Sequence, residues 1–276
     1  MGVDCGTIGA KDDFFQYLIE TDGKNMEYGL QLYSVRDITP TDFEGALRQV
    51  AEMGYRTVEP AGFFGHSAED VSGMLKKYGL TVCSTHTPAG EVFSNTEAVI
   101  AYHKAIGCKD IILPAISCST KEHLDASIDT INRVQPIIEA AGMRLHFHNH
   151  WREFIPNEDG QIVIEELAKR TNILFQIDIF WAFNAGKDPL QVLDQYRDRI
   201  RTVHLKDGFP RNPAENTDAI GKSLGQGIAP VAAVRKVAVE RGLRMVVESE
   251  GLDPTGPAEV KRCIEYLKNL DAEDGI

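Results

Sequence analysis

The sequence predicts an α/β fold, a single (β/α)₈ TIM barrel of residues 28–276 that follows a short N-terminal extension of residues 1–27. Three observations predict it. The chain has 276 residues, close to the roughly 250 of one α/β barrel. Short runs rich in Val, Ile and Leu alternate eight times with stretches of helical period. Glycines follow many of these helical stretches, at the position where a residue in the left-handed backbone conformation commonly ends a helix.

The predicted strands are short and apolar, as parallel strands covered on both faces should be. In chain order they are residues 28–34, 56–60, 81–87, 110–115, 144–150, 174–180, 201–207 and 244–250. Helices are predicted between them, for example over residues 42–53 and 68–78. The glycines expected to end helices are Gly54, Gly79, Gly107, Gly142 and Gly242.

Capping residues support the predicted helix starts. Thr41 precedes the first of these helices, and Ser119 and Thr120 precede a helix that starts at Lys121. The longest irregular segment, residues 208–230, follows the seventh strand and contains a glycine-rich stretch, residues 221–227. Barrels often bind phosphate after this strand. Because the stretch lacks the spacing of a phosphate-binding P-loop, we interpret it as a flexible loop.

The composition narrows the class of protein and its partners. Hydrophobic residues make up 43% and charged residues 25%, as in a soluble globular protein. A net charge of −12 disfavours nucleic acid, which requires clustered Lys and Arg. Five widely spaced cysteines indicate reduced thiols. No apolar run approaches a membrane span and no secretion signal stands out, so we expect a cytoplasmic protein without a membrane partner. The sequence leaves open whether the protein forms a homo-oligomer.

The residues with chemical functions cluster where the predicted strands end, which is where barrel enzymes place their active sites. Side chains two residues apart on a strand share a face. His, Asp, His and Glu therefore meet from four consecutive strands, the candidates being His146, His148 or His150 on strand five, then Asp178, His204 and Glu248. Imidazole and carboxylate together suit one borderline divalent ion, with Mn²⁺ expected first and Zn²⁺, Co²⁺ or Fe²⁺ as alternatives.

The motifs around these residues resemble those of the xylose-isomerase-like TIM-barrel superfamily. The resemblance is to its branch of sugar phosphate isomerases and epimerases, which includes inosose dehydratase relatives, and it extends over residues 28–270. The motifs are His148-Asn149-His150 with Glu153-Phe154, Asp178 with Trp181, Gly186-Lys187-Asp188-Pro189, His204-Leu205-Lys206-Asp207 and Val247-Glu248.

The resemblance implies that Asp178, His204 and Glu248 bind the metal. His148 occupies the place of the family's strand-five ligand, which is commonly Glu, and His146 is the second choice. In family epimerases the strand-five and strand-eight glutamates are the two catalytic bases. With imidazole at one position, we expect Glu248 to be the principal base and a two-base epimerisation to be disfavoured.

Further roles are expected for neighbouring residues, and Lys206, His86 and Glu59 each have a structural alternative. Lys206 would stabilise developing oxyanion charge, or form a salt bridge with Glu250 or Asp207. His86 would bind a sugar hydroxyl or act as an acid or base, or form a structural hydrogen bond. Glu59 would contact substrate or belong to a buried pair. The other predicted substrate-binding residues are His150, which would also orient the ligands, and Trp181, an apolar wall together with Phe63 and Phe64.

The leading functional hypothesis is a metal-dependent isomerase or epimerase of a small sugar or sugar derivative. The close alternative is a lyase or dehydratase that acts on a keto-sugar, keto-glycoside or keto-inositol. An endonuclease of the same superfamily is disfavoured by the acidic charge. A non-catalytic sugar-binding barrel would give no reason for a complete set of metal ligands.

Overall fold

The computed structural model describes residues 26–212 and 217–276, and within them the strands form a nearly closed parallel barrel surrounded by helices. The predicted extension, apart from its last two residues, lies outside the described residues. The barrel strands are β1 (Gly29–Gln31), β2 (Thr57–Glu59), β3 (Thr81–Val82), β4 (Thr85–His86), β5 (Asp110–Leu113), β6 (Arg144–His148), β7 (Leu174–Asp178), β8 (Ile200–Leu205) and β11 (Arg244–Val247).

The strands follow one another around the barrel in the order β3-β2-β1-β11-β8-β7-β6-β5-β4, and every pair is parallel. The two ends of this order, β3 and β4, are halves of the third predicted strand, which breaks at Cys83 and Ser84. A parallel bridge between Ala61 and His86 brings the end of β2 beside β4. The predicted eightfold alternation is therefore confirmed.

The helices lie between successive strands and cover the outside of the barrel. They are α1 (Phe43–Met53), α2 (Ala68–Tyr78), α3 (Ala89–Ser94), α4 (Thr96–Ala105), α5 (Lys121–Ala140), α6 (Val163–Arg170), α7 (Ile179–Asn184), α8 (Pro189–Gln195), α9 (Val231–Arg241) and α10 (Gly256–Asp274). The five glycines predicted to end helices all have positive φ. None of the described helices is long and apolar enough to cross a membrane.

Three local predictions are corrected. The N-cap of α1 is Asp42 and not Thr41, because the Asp42 carboxylate accepts a hydrogen bond from the Gly45 amide at 2.9 Å. The strands are shorter than predicted, so that His150, Glu248 and Glu250 lie just beyond strand ends. The segment predicted as a loop after strand seven contains a hairpin of β9 (Asp207–Phe209) and β10 (Ile220–Lys222).

The first and last strands of the barrel pair directly, and buried polar contacts reinforce this closure. β1 pairs with both β2 and β11. Outside the strands, Arg235 of α9 donates to the Tyr28 hydroxyl at 2.8 Å and forms ion pairs with Asp271 and Asp274 of α10. The Tyr28 hydroxyl also donates to Asp271 at 2.5 Å. The beginning and the end of the barrel are thus held by one charged network.

Candidate metal centre

Four side chains with metal-binding chemistry meet at the carboxyl ends of adjacent strands. His148 ends β6, Asp178 ends β7, His204 lies on β8 and Glu248 follows β11. All four are buried, and one ligand atom of each lies within 4.8 Å of those of the other three. Asp178 and His204 are direct partners in the β7–β8 register, so their side chains lie side by side. The predicted quartet is brought together.

His204 is the most constrained member of this quartet. Its Nδ1 lies 3.0 Å from Oε2 of Glu248 and 4.0 Å from Oδ2 of Asp178, while its Nε2 lies 2.7 Å from Oε1 of Glu59. Burial alone would lower the pKa of His204, but Glu59 and Glu248 outweigh it and raise the pKa to about 10. A divalent ion at Nδ1 would displace the proton on that nitrogen.

The quartet fits a divalent cation on further grounds. Oδ2 of Asp178 is buried without a hydrogen-bond partner, which is costly for a carboxylate oxygen. Burial raises the pKa of Asp178 to about 7 despite the nearby charge of Lys206, a penalty that a bound cation would remove. Burial and the neighbouring imidazoles of His86 and His204 hold the pKa of His148 well below its usual value, which keeps it neutral, as a ligand must be.

Glu59 lies beneath the quartet and is fully buried. Its carboxylate accepts hydrogen bonds from Gln31 Nε2 at 2.7 Å, from Gln176 Nε2 at 2.6 Å and from the Ser84 hydroxyl, besides its contact with His204. Burial would raise the pKa of Glu59, yet the charges of His86 and His204 lower it to about 2. Of the two roles predicted for Glu59, these contacts support the buried pair.

Gln176 is a site residue that the sequence reasoning missed. Its Oε1 lies 2.8 Å from Nε2 of His86 and 3.2 Å from Nδ1 of His148, and its amide donates to Glu59. It therefore orients two histidines at once, His148 of the quartet and His86 of the cavity. The signal was present, since Gln176 is a polar residue two positions before Asp178 in an otherwise apolar strand.

Lys206 is fully buried beside the quartet. Its Nζ lies 2.7 Å from Glu250 Oε1, 3.5 Å from Glu248 Oε2 and 3.9 Å from Asp178 Oδ2. The salt bridge with Glu250 that was the alternative role is therefore present, and it leaves the ammonium near both carboxylates of the quartet. Nζ also lies 4.5 Å from the centre of the Trp181 ring, a cation–π distance.

Trp181 lies against Lys206 and His150, with 5.8 Å between the centres of the Trp181 and His150 rings. Its backbone N–H donates to Oδ1 of Asp178 at 2.8 Å. It is not among the residues that line the cavity over the quartet. The substrate contact predicted for Trp181 thus stays a prediction, while its support of Lys206 and Asp178 is visible.

A cavity of about 1010 Å³ opens over the quartet. Among the predicted site residues, His86, His148, His150 and Glu248 line it, together with Glu250. His146, the second choice for the strand-five ligand, lies apart, because its Nε2 lies 2.8 Å from Oδ1 of Asp110. Asp110 also binds Arg144 and Arg244. His148 is therefore the strand-five member of the quartet, and His146 belongs to a buried ionic cluster.

The chain belongs to the xylose isomerase-like TIM barrel family, whose sequence pattern matches residues 47–270. It is 24% identical over 188 residues to the inosose dehydratase of Geobacillus kaustophilus, covering 58% of this chain and 60% of that enzyme. It is 22% identical over 181 residues to the 2-oxo-tetronate isomerase of Haemophilus influenzae, covering 56% and 70%. The chain thus spans less than two thirds of the inosose dehydratase.

The fold is shared with solved structures over a larger part of the chain. A sugar phosphate isomerase/epimerase from Parabacteroides distasonis superposes with a TM-score of 0.75 at 24% identity, covering 88% of this chain and 98% of that one. The predicted superfamily is confirmed, and both isomerase and dehydratase names occur among the relatives.

Proposed function

We propose that this protein is a metal-dependent enzyme that removes a proton from a carbon next to the carbonyl of a sugar-like substrate, and thereby isomerises it. The observation that carries this proposal is the buried quartet of His148, Asp178, His204 and Glu248 at the floor of a large cavity. A divalent ion held there, with Mn²⁺ expected first, would supply Lewis-acid polarisation of the carbonyl.

Glu248 is the residue assigned to take the proton. It lines the cavity, and although burial would raise its pKa, Lys206 and His204 hold that pKa well below its usual value. The carboxylate is therefore ionised, as a general base must be. Its Oε2 contacts His204 and Lys206, which leaves Oε1 as the oxygen to accept the proton.

Lys206 is assigned to stabilise the negative charge that develops when the proton leaves. Its ammonium is fully buried and lies close to two carboxylate ligands, so it acts where water screens charge poorly. His86 lines the cavity on the other side and is held by Gln176, so it can exchange a proton with a substrate hydroxyl. A single base next to a hydroxyl-relaying histidine suits isomerisation better than two-base epimerisation.

A second candidate function is elimination, and the strand-five imidazole favours it. His148 is neutral and bonded to Gln176, so the quartet offers no second carboxylate base at that position. After Glu248 takes the proton, a hydroxyl or alkoxyl group on the next carbon would depart with a proton from His86 or His150 as the carbon–carbon double bond forms. The inosose dehydratase relatives are in keeping with this course.

Solvent-deuterium exchange on metal-loaded protein tests the shared step. We expect Glu248→Gln to retain some metal but to lose deuterium incorporation into keto-sugars by about two to four orders of magnitude. Glu91→Gln, which changes another cavity glutamate, is the matched control and should exchange normally. Exchange at the wild-type rate in Glu248→Gln would show that another group takes the proton. Products that differ from the substrate only by the incorporated deuterium indicate isomerisation, and loss of water or alcohol indicates elimination.

A further inference from the structure

The cavity extends well beyond the space over the metal centre. Its volume of about 1010 Å³ reaches the upper end of the ~300–1,000 Å³ range of small-molecule sites. Away from the quartet the lining includes a group of apolar and aromatic side chains, Phe63, Phe64, Val99 and Tyr102. We call these four residues the aromatic subsite. A single sugar ring placed over the metal centre would leave the aromatic subsite unfilled.

The loop that carries the two phenylalanines has an unusual backbone. Gly62, Phe64 and Gly65 all have positive φ, at 93°, 51° and 83°. Such a conformation is strained for a bulky residue and clusters at ligand sites. Phe63 packs on Tyr102 with 4.6 Å between ring centres, whereas Phe64 remains 45% exposed. The loop thus presents a partly exposed aromatic ring at the cavity wall, in a backbone conformation that surrounding contacts must stabilise.

The charge of the cavity is unsuited to a phosphorylated substrate. Among its described lining residues there are three glutamates, Glu91, Glu248 and Glu250, and neither lysine nor arginine. Lys206 is not among the lining residues, and its ammonium is paired with Glu250 beside the quartet. A phosphate group placed away from the quartet would therefore meet acidic side chains with no lysine or arginine in the described lining to balance its charge.

The loop where barrels often bind phosphate is also occupied. The Asp207 carboxylate accepts hydrogen bonds from the backbone amides of Gly225, Gly227 and Ala229 at 2.9–3.0 Å, besides that of Gly208. The backbone N–H groups that could have bound an external anion therefore bind the carboxylate of Asp207 instead.

We infer that the substrate is an uncharged sugar derivative whose flat, aromatic substituent lies in the aromatic subsite, and that it is not a sugar phosphate. The placement of the sugar end rests on the proposed function. The subsite itself is defined by its lining and loop geometry, independently of which proton is transferred.

Calorimetric titration of Mn²⁺-loaded protein with inert glucosides tests this inference. Phenyl glucoside should bind about tenfold more tightly than methyl glucoside, because the ring buries apolar surface in the subsite. Glucose 6-phosphate should bind more weakly than either. Phe64→Ala should remove most of the preference for phenyl. The control Phe209→Ala removes a ring of similar exposure, 40%, outside the cavity and should keep the preference.

Three results would overturn the inference. The first is equal affinity for phenyl and methyl glucoside, and the second is a preference for phenyl that survives in Phe64→Ala. The third is tighter binding of glucose 6-phosphate, or of a disaccharide titrated in the same way, than of phenyl glucoside. The Glu248→Gln variant separates the two proposals. If its deuterium exchange is unchanged while the phenyl preference is present, the catalytic assignment fails and the subsite stands.

Discussion

Nε2 of His204 lies 2.7 Å from Oε1 of Glu59, and both side chains are fully buried. The other ring nitrogen, Nδ1, faces Asp178 and Glu248. A carboxylate on the far side of a ligand histidine sets the ring orientation and strengthens its basicity toward a metal. We therefore expect Glu59 to act on a bound metal through His204, although its strand β2 is separated from β8 by β1 and β11.

Glu59→Gln is expected to weaken metal binding by about 10- to 100-fold, because the amide cannot supply the negative charge behind His204. Competition with a chelator of known affinity measures this. Glu52→Gln, on the exposed face of α1, is the control and should bind metal normally. Unchanged affinity in Glu59→Gln would show that the contact is merely structural.

Asp178→Ala should lose bound metal and activity together while the fold persists, since the aliphatic core of the barrel does not depend on the ion. Elemental analysis after reloading gives the metal content, and far-ultraviolet circular dichroism gives the helical content. The exposed Asp198→Ala should retain the metal. A large loss of helical signal in Asp178→Ala would instead make the ion a structural one.

Asp110 gives a pH-dependent contribution to stability. Burial would raise its pKa, but His146 and Arg144 hold the pKa of Asp110 well below its ordinary value of 3.8. The stabilisation is fully present above that ordinary value, and it is lost progressively as the pH falls from there toward the lower pKa of the folded state. Asp110→Asn should cost about 1.5–3 kcal/mol at neutral pH, because the amide cannot replace the charge-assisted hydrogen bonds to the partly exposed Arg144 and Arg244.

Urea unfolding of wild type and Asp110→Asn at pH 7, 5 and 3 checks this. The difference between their free energies of unfolding should be the same at pH 7 and 5 and smaller at pH 3. The exposed variant Asp198→Asn should differ little from wild type in its free energy of unfolding at any of the three pH values. A difference that stays constant down to pH 3 would contradict the assignment of the effect to Asp110.

Asp207→Ala should release the loop after β10, because the backbone amides of Gly225, Gly227 and Ala229 lose their shared acceptor. Trypsin should then cleave faster after Lys222, with the fragments identified by mass spectrometry. Asp218→Ala, at an exposed position of the preceding segment, is the matched control. Equal cleavage rates in the two variants would mean that other contacts hold the loop.

The repeat of strand, helix and glycine was sufficient to predict the barrel because each parallel strand must bury one face in the barrel interior and the other under a helix. The third strand was harder. Residues 81–87 are uniform enough to suggest one strand, whereas the structure divides them into β3 and β4. The break lets Ser84 reach Glu59, a contact between distant residues that local sequence does not encode.

The metal quartet was predictable because alternation along a strand tells which residues share a face. Alternation does not tell how deep each one lies. His146, His148 and His150 were equivalent in that pattern, yet His146 pairs with Asp110, His148 joins the quartet and His150 lies beyond the strand end. Gln176 was not predicted for a related reason, because its role depends on hydrogen-bond partners from three other strands.

The pairing of β1 with β11 has a consequence for how the chain is made in the cell. The contact from Tyr28 to Asp271 joins residues 243 positions apart. A ribosome releases the chain from its N-terminal end, so most strands emerge while β1 still lacks one of its two neighbours. The edge of β1 stays open until β11 has emerged, and until then we expect the nascent barrel to be prone to aggregation at that edge.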